Sequence, residues 1–92
     1  MRIVQLIDSL DAGGAERMAV NYANALSEKI AFSGIVATRK EGVLKQEIKH
    51  INNYAFLERK NKFDTNAIFF ASKYIKRHKI HIVHAHGSSY FL

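Results

Sequence analysis

The chain has 92 residues, of which 48% are hydrophobic and 24% charged, and its 14 lysines and arginines against 8 acidic residues give a formal net charge of +6. This length suits a single domain, and the proportions are close to those of soluble globular proteins, which argues against a disordered or fibrous chain. Cysteine is absent, so disulfide frameworks, thiolate metal sites and cysteine nucleophiles are excluded.

The first predicted elements are a strand, a glycine-containing turn and a helix. Residues 3–7 read Ile-Val-Gln-Leu-Ile, a largely β-branched run with one polar interruption, which predicts a central parallel strand. A turn with Gly13 and Gly14 follows, and beyond it apolar residues recur at helical spacing. This spacing predicts a helix from about Ala15 to Glu28.

The middle of the chain is predicted to hold two more strands joined by a short helix. Residues 34–38 and 54–57 are short apolar runs with polar flanks, and they predict the second and third strands. Between them, Leu44, Ile48 and Ile51 follow the i, i+4, i+7 spacing of a short amphipathic helix.

The last third of the chain is predicted to contain the clearest helix and a fourth strand. Asp64 or Thr65 can cap a helix that continues to about His78, because the apolar residues keep helical spacing. Residues 80–85 predict the fourth strand, and residues 87–89 resemble the cap of one more helix.

This alternation of strands and helices predicts an α/β fold. Right-handed crossovers lead to a Rossmann-like three-layer domain, with a parallel sheet of about four strands in the order 3-2-1-4 and helices on both faces. The chain ends at Leu92, where a covering helix is expected to begin. We therefore expect exposed apolar surface near the fourth strand, covered by self-association through this unfinished edge or by a missing remainder of the protein.

The turn that carries Gly13 and Gly14 is the first candidate ligand site, because it links the carboxyl end of a central strand to a helix. Glycine lets the backbone approach a ligand closely, and free N–H groups at the positive end of a helix dipole favour phosphate or carboxylate. The turn lacks a Gly-x-Gly-x-x-Gly pattern, and Thr38 and Arg39 stand where a dinucleotide site needs an acidic residue. The alternative is that the two glycines only permit a tight turn.

His84 and His86 are the second candidate, at the carboxyl end of the fourth strand and so at the same edge as the glycine turn. Alternation along a strand puts both side chains on one face. We expect His84 to be half-buried with its hydrogen bonds satisfied, and His86 to emerge into the ligand crevice as a hydrogen-bond donor or proton carrier. A metal site is not favoured, because the sequence offers no third ligand nearby. The alternative is that each histidine is only structural.

Basic residues concentrate in the second half, where residues 47–92 hold eight lysines and arginines against three acidic residues. Nucleic acid, an anionic membrane surface or an anionic substrate could each exploit this excess. Cations at the end of a helix also complement its dipole, which accounts for several of them without any partner. No nucleic-acid partner is expected, because Phe69, Phe70 and Tyr74 lie on or beside the apolar face of a predicted helix.

Three segments together resemble a known family. They are the opening strand with residues 13–17 behind it, residues 41–44 before the short helix, and residues 82–87, which read Ile-Val-His-Ala-His-Gly. They are similar to the amino-terminal domain of GT-B glycosyltransferases, specifically the retaining group 1 or family 4 type that uses nucleotide sugars. The resemblance implies a two-domain enzyme whose amino-terminal domain holds the acceptor and whose carboxyl-terminal domain holds the nucleotide sugar, with the reaction in the cleft between them.

The resemblance further implies that residues 1–92 are part of the amino-terminal domain, that the nucleotide-sugar domain is absent and that this chain alone is inactive. In the family the glycine turn, here Gly13 and Gly14, faces the cleft near the donor phosphates and the acceptor. The second histidine, here His86, contacts the transferred sugar. His86 is therefore the candidate catalytic residue, and Gly13, Gly14 and His86 are the candidate substrate-binding residues. No cofactor and no metal is implied beyond the donor nucleotide sugar.

The implied partners are a nucleotide sugar and a glycan or lipid-linked acceptor, in the assembly of surface polysaccharides or glycoconjugates. Many family members act on lipid-linked or other anionic acceptors at the inner face of a membrane, so peripheral membrane contact is a further hypothesis. The amino terminus has too short an apolar run for a signal peptide, and no stretch approaches the roughly 20 apolar residues of a membrane span, which favours a cytoplasmic protein.

Two other functions remain open from the sequence. One is a stand-alone flavodoxin-like module that binds a phosphate or nucleotide at the glycine turn. The other is an interaction domain whose unfinished edge pairs with a partner. A reading frame that continues into a second Rossmann domain distinguishes the enzyme from both.

Overall fold

Strands and helices alternate along the chain, as the sequence predicts. The computed structural model describes residues 1–61 and 63–86. Its elements in chain order are strand β1 (Arg2–Ser9), helix α1 (Gly14–Leu26), strand β2 (Phe32–Lys40), two short 3-10 turns (Val43–Glu47 and Ile51–Asn53), strand β3 (Tyr54–Phe56), helix α2 (Thr65–Arg77) and strand β4 (Ile82–Ala85). The four strands form one parallel sheet in the order β3-β2-β1-β4, which confirms the predicted order.

Helix α1 covers one face of the sheet. Its small side chains, those of Ala19, Val20 and Ala23, are buried against Ile7 of β1 and Ile35 of β2. Small residues at these positions let the helix backbone lie close to the sheet, while the β-branched strand residues fill the pleated surface. The buried members of this cluster also include Leu10, Ala37 and Leu44.

Helix α2 covers the opposite face. Ala67 is buried there against Val4 and Val36, and the ring of Tyr74 packs beside them. Val4 and Ile7 contact different helices because strand side chains alternate between the two faces. The domain therefore has three layers, with helices on both faces of the sheet, as predicted.

Helix α2 begins and ends as its sequence indicates. The side chain of Asp64 accepts a hydrogen bond from the N–H of Ala67 at 3.2 Å, so it caps the first turn. Lys76 and Arg77 lie in the last turn, where their charges complement the negative end of the helix dipole. Lys79 then adopts a left-handed φ of 52° and ends the helical path.

The predicted short amphipathic helix between β2 and β3 is wrong. The chain instead makes two 3-10 turns separated by extended backbone at Ile48. Leu44 is buried and its N–H donates to the carbonyl of Leu10 at 3.0 Å, and Ile48 packs against the core, but Ile51 is exposed. Because Ile51 does not pack against the core, tertiary packing does not stabilise a further helical turn here.

Strand β4 is only partly covered. All four of its residues are exposed, including the apolar side chains of Ile82 and Val83 on opposite faces. This confirms the expectation of exposed apolar surface near the fourth strand. The predicted cap at residues 87–89 and the end of the chain at Leu92 lie outside the described residues. No helix in the described ranges is long and apolar enough to cross a membrane.

Candidate functional site

The carboxyl ends of the four parallel strands meet at one edge of the sheet, and both helices begin there. We call this the ligand edge, because open α/β sheets bind ligands outside the carboxyl ends of their strands. The glycine turn follows β1, and His86 follows β4, so the sequence-predicted residues come to the same edge. β1 and β4 are direct neighbours, with Leu6 paired to Ala85.

Gly13 is the N-cap residue of α1, and no side chain within the described ranges caps this end of the helix. The N–H of Gly13 donates to the carbonyl of Asp11 at 2.8 Å, and its carbonyl accepts from the N–H of Arg17 at 3.0 Å. The N–H groups of the first turn therefore lack the side-chain acceptor that capped helices have. They can bind an anionic group, which the helix dipole also favours.

The backbone does not require glycine at these two positions. Gly13 has φ −109° and ψ 176°, an extended conformation that other residues adopt. A methyl group added at Gly14 meets no other part of the described chain within 4 Å, and one added at Gly13 meets only the flexible end of Glu16. At Gly42, in contrast, an added methyl group collides with the backbone N of Asp11 at 2.5 Å. Space beside Gly14 is therefore open, as a closely approaching ligand needs, whereas the carboxylate of Glu16 lies beside Gly13.

The structure inverts the predicted exposure of the two histidines. His86 is only 7% exposed, and its Nε2 lies 2.7 Å from Oε1 of the buried Gln5, while His84 is exposed. The expectation that His84 is half-buried and His86 emerges is wrong, because Gln5 of the central strand offers a buried hydrogen-bond partner only to His86. The two rings are 4.2 Å apart, and Tyr22 of α1 lies within about 6 Å of both.

The electrostatics favour a neutral imidazole at His86. Burial lowers the pKa of His86 below its ordinary value, and the nearby His84 lowers it further. The ring is therefore a neutral hydrogen-bonding group near neutral pH rather than a cation. Within residues 1–61 and 63–86, no group of three histidine, cysteine, aspartate or glutamate side chains comes together as a metal site.

The ligand edge also carries a cluster of polar side chains that the sequence analysis does not predict. We call it the Asp8 cluster, and it consists of Asp8, Thr38, Arg39 and Arg59. Oδ1 of Asp8 accepts from Oγ1 of Thr38 and from Nη2 of Arg59, each at 2.8 Å, and Oδ2 accepts from Nε of Arg39 at 2.8 Å. These residues stand at the carboxyl ends of β1 and β2 and just beyond β3. The predicted strand order could have indicated the Asp8 cluster, because it places the carboxyl ends of these strands side by side.

Both carboxylate oxygens of Asp8 accept hydrogen bonds from other members of the cluster. Burial raises the pKa of Asp8, but hydrogen bonds from Arg39, Thr38 and Arg59 outweigh it, so the pKa lies below its usual range. Arg59 has a side chain only 9% exposed, whereas that of Arg39 is 54% exposed. Glu58 has a left-handed φ of 53°, and the next N–H, that of Arg59, donates to the carbonyl of Thr38 at 2.6 Å. Asp8 therefore ties the ends of three strands together.

Comparison with known proteins gives one match. The family model described as Glycosyltransferase Family 4 matches residues 12–92. The matched range contains Gly13, Gly14 and His86 and begins after Asp8. No curated protein and no solved structure matches the chain.

Proposed function

The chain belongs to Glycosyltransferase Family 4, and from that premise we propose that it is the acceptor-side, amino-terminal part of a retaining GT-B enzyme. The reaction is transfer of a hexosyl group from a nucleotide sugar to a glycan or lipid-linked acceptor, in the assembly of surface polysaccharides or glycoconjugates. A second domain supplies the nucleotide-sugar site, so residues 1–92 alone are inactive. Apart from the donor nucleotide sugar, which is a substrate, the proposal requires no cofactor.

One observation carries this proposal. Within the matched range, the uncapped end of α1 and the histidine after β4 come to the same edge of the sheet, where α/β domains bind ligands. Two chemically different groups, a set of N–H donors and a neutral imidazole, suit two parts of a nucleotide sugar. The N–H groups suit its phosphates, and the imidazole suits a sugar hydroxyl.

The proposed roles follow from these chemical differences. Gly13 and Gly14 let the first turn of α1 approach the donor phosphates and the acceptor. His86 contacts the transferred sugar through the part of its ring that does not face Gln5. In the transfer, the bond between the anomeric carbon and the diphosphate breaks and the diphosphate keeps the electron pair. The oxygen of an acceptor hydroxyl forms the new bond, and its proton passes to the departing diphosphate.

Location and partners are part of the same proposal. The enzyme is cytoplasmic, with peripheral contact at the inner face of a membrane through its basic surface and with a lipid-linked or glycan acceptor. Anionic lipid attracts clustered lysines and arginines by about 1 kcal/mol for each one near the surface. Equal sedimentation with neutral and anionic vesicles would remove the membrane contact from the proposal and leave the transfer reaction intact.

The test is a transfer assay on the full-length protein that carries this chain, with a panel of nucleotide sugars and glycan or lipid-linked acceptors. We expect His86→Ala to lower kcat about 100-fold, as the loss of a hydrogen bond made to the reacting sugar does. His50→Ala is the matched control, because His50 is exposed and lies between the two 3-10 turns, apart from His86. Unchanged kcat in folded His86→Ala protein contradicts the role of His86. Binding of phosphate or nucleotide without transfer favours the stand-alone module instead.

A further inference from the structure

Gln5 is a buried polar residue that the fold does not explain. It lies in the middle of β1, between Val4 and Leu6, and its side chain is 0% exposed. Its amide nitrogen Nε2 has no hydrogen-bond partner within the described residues. An unsatisfied buried amide costs about 1–3 kcal/mol, and an apolar side chain of similar size avoids that cost.

The amide oxygen of Gln5 contacts His86. Oε1 lies 2.7 Å from Nε2 of the imidazole, and the two residues are both buried although 81 positions apart in the chain. A carbonyl oxygen only accepts hydrogen bonds, so Nε2 of His86 carries a proton in this arrangement. A neutral imidazole has one N–H, so Nδ1 then holds a lone pair, and any hydrogen bond made by Nδ1 is one it accepts.

We propose that Gln5 is a positioning residue, which orients the ring of His86 and holds it as the Nε2–H tautomer for its role toward the transferred sugar. The proposal rests on the proposed function for its substrate, but the tautomer is a property of this chain alone. It also accounts for the orphaned amide, because a glutamine that serves His86 from the central strand has to place its NH₂ in the core. An apolar residue at position 5 cannot supply the oxygen that accepts a hydrogen bond from His86.

The rings beside His86 support a fixed orientation. His84 and Tyr22 have centroids 4.2 Å and 6.1 Å from that of His86, so the imidazole is packed on its flank as well as hydrogen-bonded at Nε2. The backbone N–H of His86 donates to the carbonyl of Leu6 at 2.9 Å, which fixes the residue against β1. Gln5 therefore contacts a ring whose backbone and flank are already held, which favours one tautomer.

The experiment is nitrogen NMR of the imidazole rings in the 92-residue chain labelled with ¹⁵N at histidine, at a pH where the rings are neutral. In the wild type we expect His86 to show a protonated Nε2 and an unprotonated Nδ1. Gln5→Met is nearly isosteric and removes the acceptor, so it should give a mixture of the two tautomers. Gln46→Met, at the other glutamine of the chain, is exposed and should change nothing.

Two results overturn the proposal: a wild-type His86 that is wholly or partly protonated at Nδ1, and a Gln5→Met chain that keeps a single Nε2–H tautomer. If Gln5→Met fails to fold, the wild-type spectrum still decides. A role in packing alone predicts a loss of stability in Gln5→Met with no change in tautomer.

The transfer assay separates this inference from the proposed function. In the full-length protein we expect Gln5→Met to lower kcat about tenfold, the effect typical of a residue that orients a functional histidine, with less change in KM. A fixed Nε2–H tautomer together with unchanged transfer in His86→Ala means that the proposed function of His86 fails and the inference about Gln5 stands. If the wild type shows a mixture of tautomers and His86→Ala has a large effect, the inference about Gln5 fails and the proposed function of His86 stands.

Discussion

The two halves of the ligand edge differ in how their polar groups are satisfied. Over β2 and β3, the chain supplies its own carboxylates, since Asp8 binds two arginines and Asp64 caps α2. Over β1 and β4, α1 begins at Gly13 with no side-chain cap in the described part of the chain. We call the part over β2 and β3 the closed half, and we call the ion pairs of Asp8 with Arg39 and Arg59 the brace, because they hold the strand ends together. The part over β1 and β4 is the open half, where we expect a ligand.

The largest expected effect is loss of the brace. In Asp8→Ala, the buried guanidinium of Arg59 loses its carboxylate, and we expect the free energy of unfolding to fall by about 3 kcal/mol. Urea unfolding measures this loss. Asp11→Ala is the control, because the pair between Asp11 and Lys40 is exposed on both sides and contributes less than about 1 kcal/mol.

The same variant has a definite pH dependence. The pKa of Asp8 is lower in the folded protein than in the unfolded chain, so its stabilising contribution is fully present above the unfolded value of about 3.9. The contribution is lost as the pH falls through the folded pKa. The stability difference between wild type and Asp8→Ala should therefore be constant near neutral pH and shrink below about pH 4. Equal losses in Asp8→Ala and Asp11→Ala at neutral pH would contradict the idea of a brace.

Glycine substitutions give the next largest contrast. A methyl group at Gly34 overlaps Oη of Tyr74 and lies 2.9 Å from the carbonyl oxygen of Asn53, so we expect Gly34→Ala to lower stability by about 2 kcal/mol. Gly14→Ala meets nothing within 4 Å and should leave the ligand-free chain equally or more stable. Thermal unfolding of both variants checks this pair. A Gly14→Ala loss as large as that of Gly34→Ala means that Gly14 serves the fold and not a ligand.

The smallest expected effect is loss of the cap on α2. Asp64→Ala removes the acceptor that serves the N–H groups of Lys60 and Ala67, so α2 should fray at its first turn. Amide hydrogen exchange in residues 65–68 measures the fraying directly. Asn66→Ala, in the same turn, is the control and should leave exchange nearly unchanged. Protection that is equal in the two variants would show that this half of the edge is not closed by Asp64.

The fold was predictable where its causes are local. Asp64 and the helical spacing after it lie within one stretch of sequence, and the rules for crossovers between parallel strands give the order of the sheet. The spacing of Leu44, Ile48 and Ile51 failed as a helix signal. Periodicity reports which residues could share a face, but only Leu44 and Ile48 meet the core.

The site was predictable in position but not in detail. The sequence brings Gly13, Gly14 and His86 to one edge, because each follows the carboxyl end of a strand. It does not give the burial of His86, which depends on Gln5 at a distance of 81 residues in the chain. The partners of Asp8 are likewise 30 to 51 residues away, so no local pattern marks them.

The central claim is that the open half of the ligand edge faces the donor phosphates and the transferred sugar. Amide chemical-shift mapping of the ¹⁵N-labelled full-length protein, in which the second domain supplies the nucleotide-sugar site, tests it most directly. Excess UDP-hexose and GDP-hexose are added in turn, with inorganic phosphate as a separate probe. The account predicts that the largest shifts within residues 1–92 fall on residues 13–16 and on His86. Shifts centred on Arg39 and Arg59, or no shift at the open half with any nucleotide sugar, would contradict it.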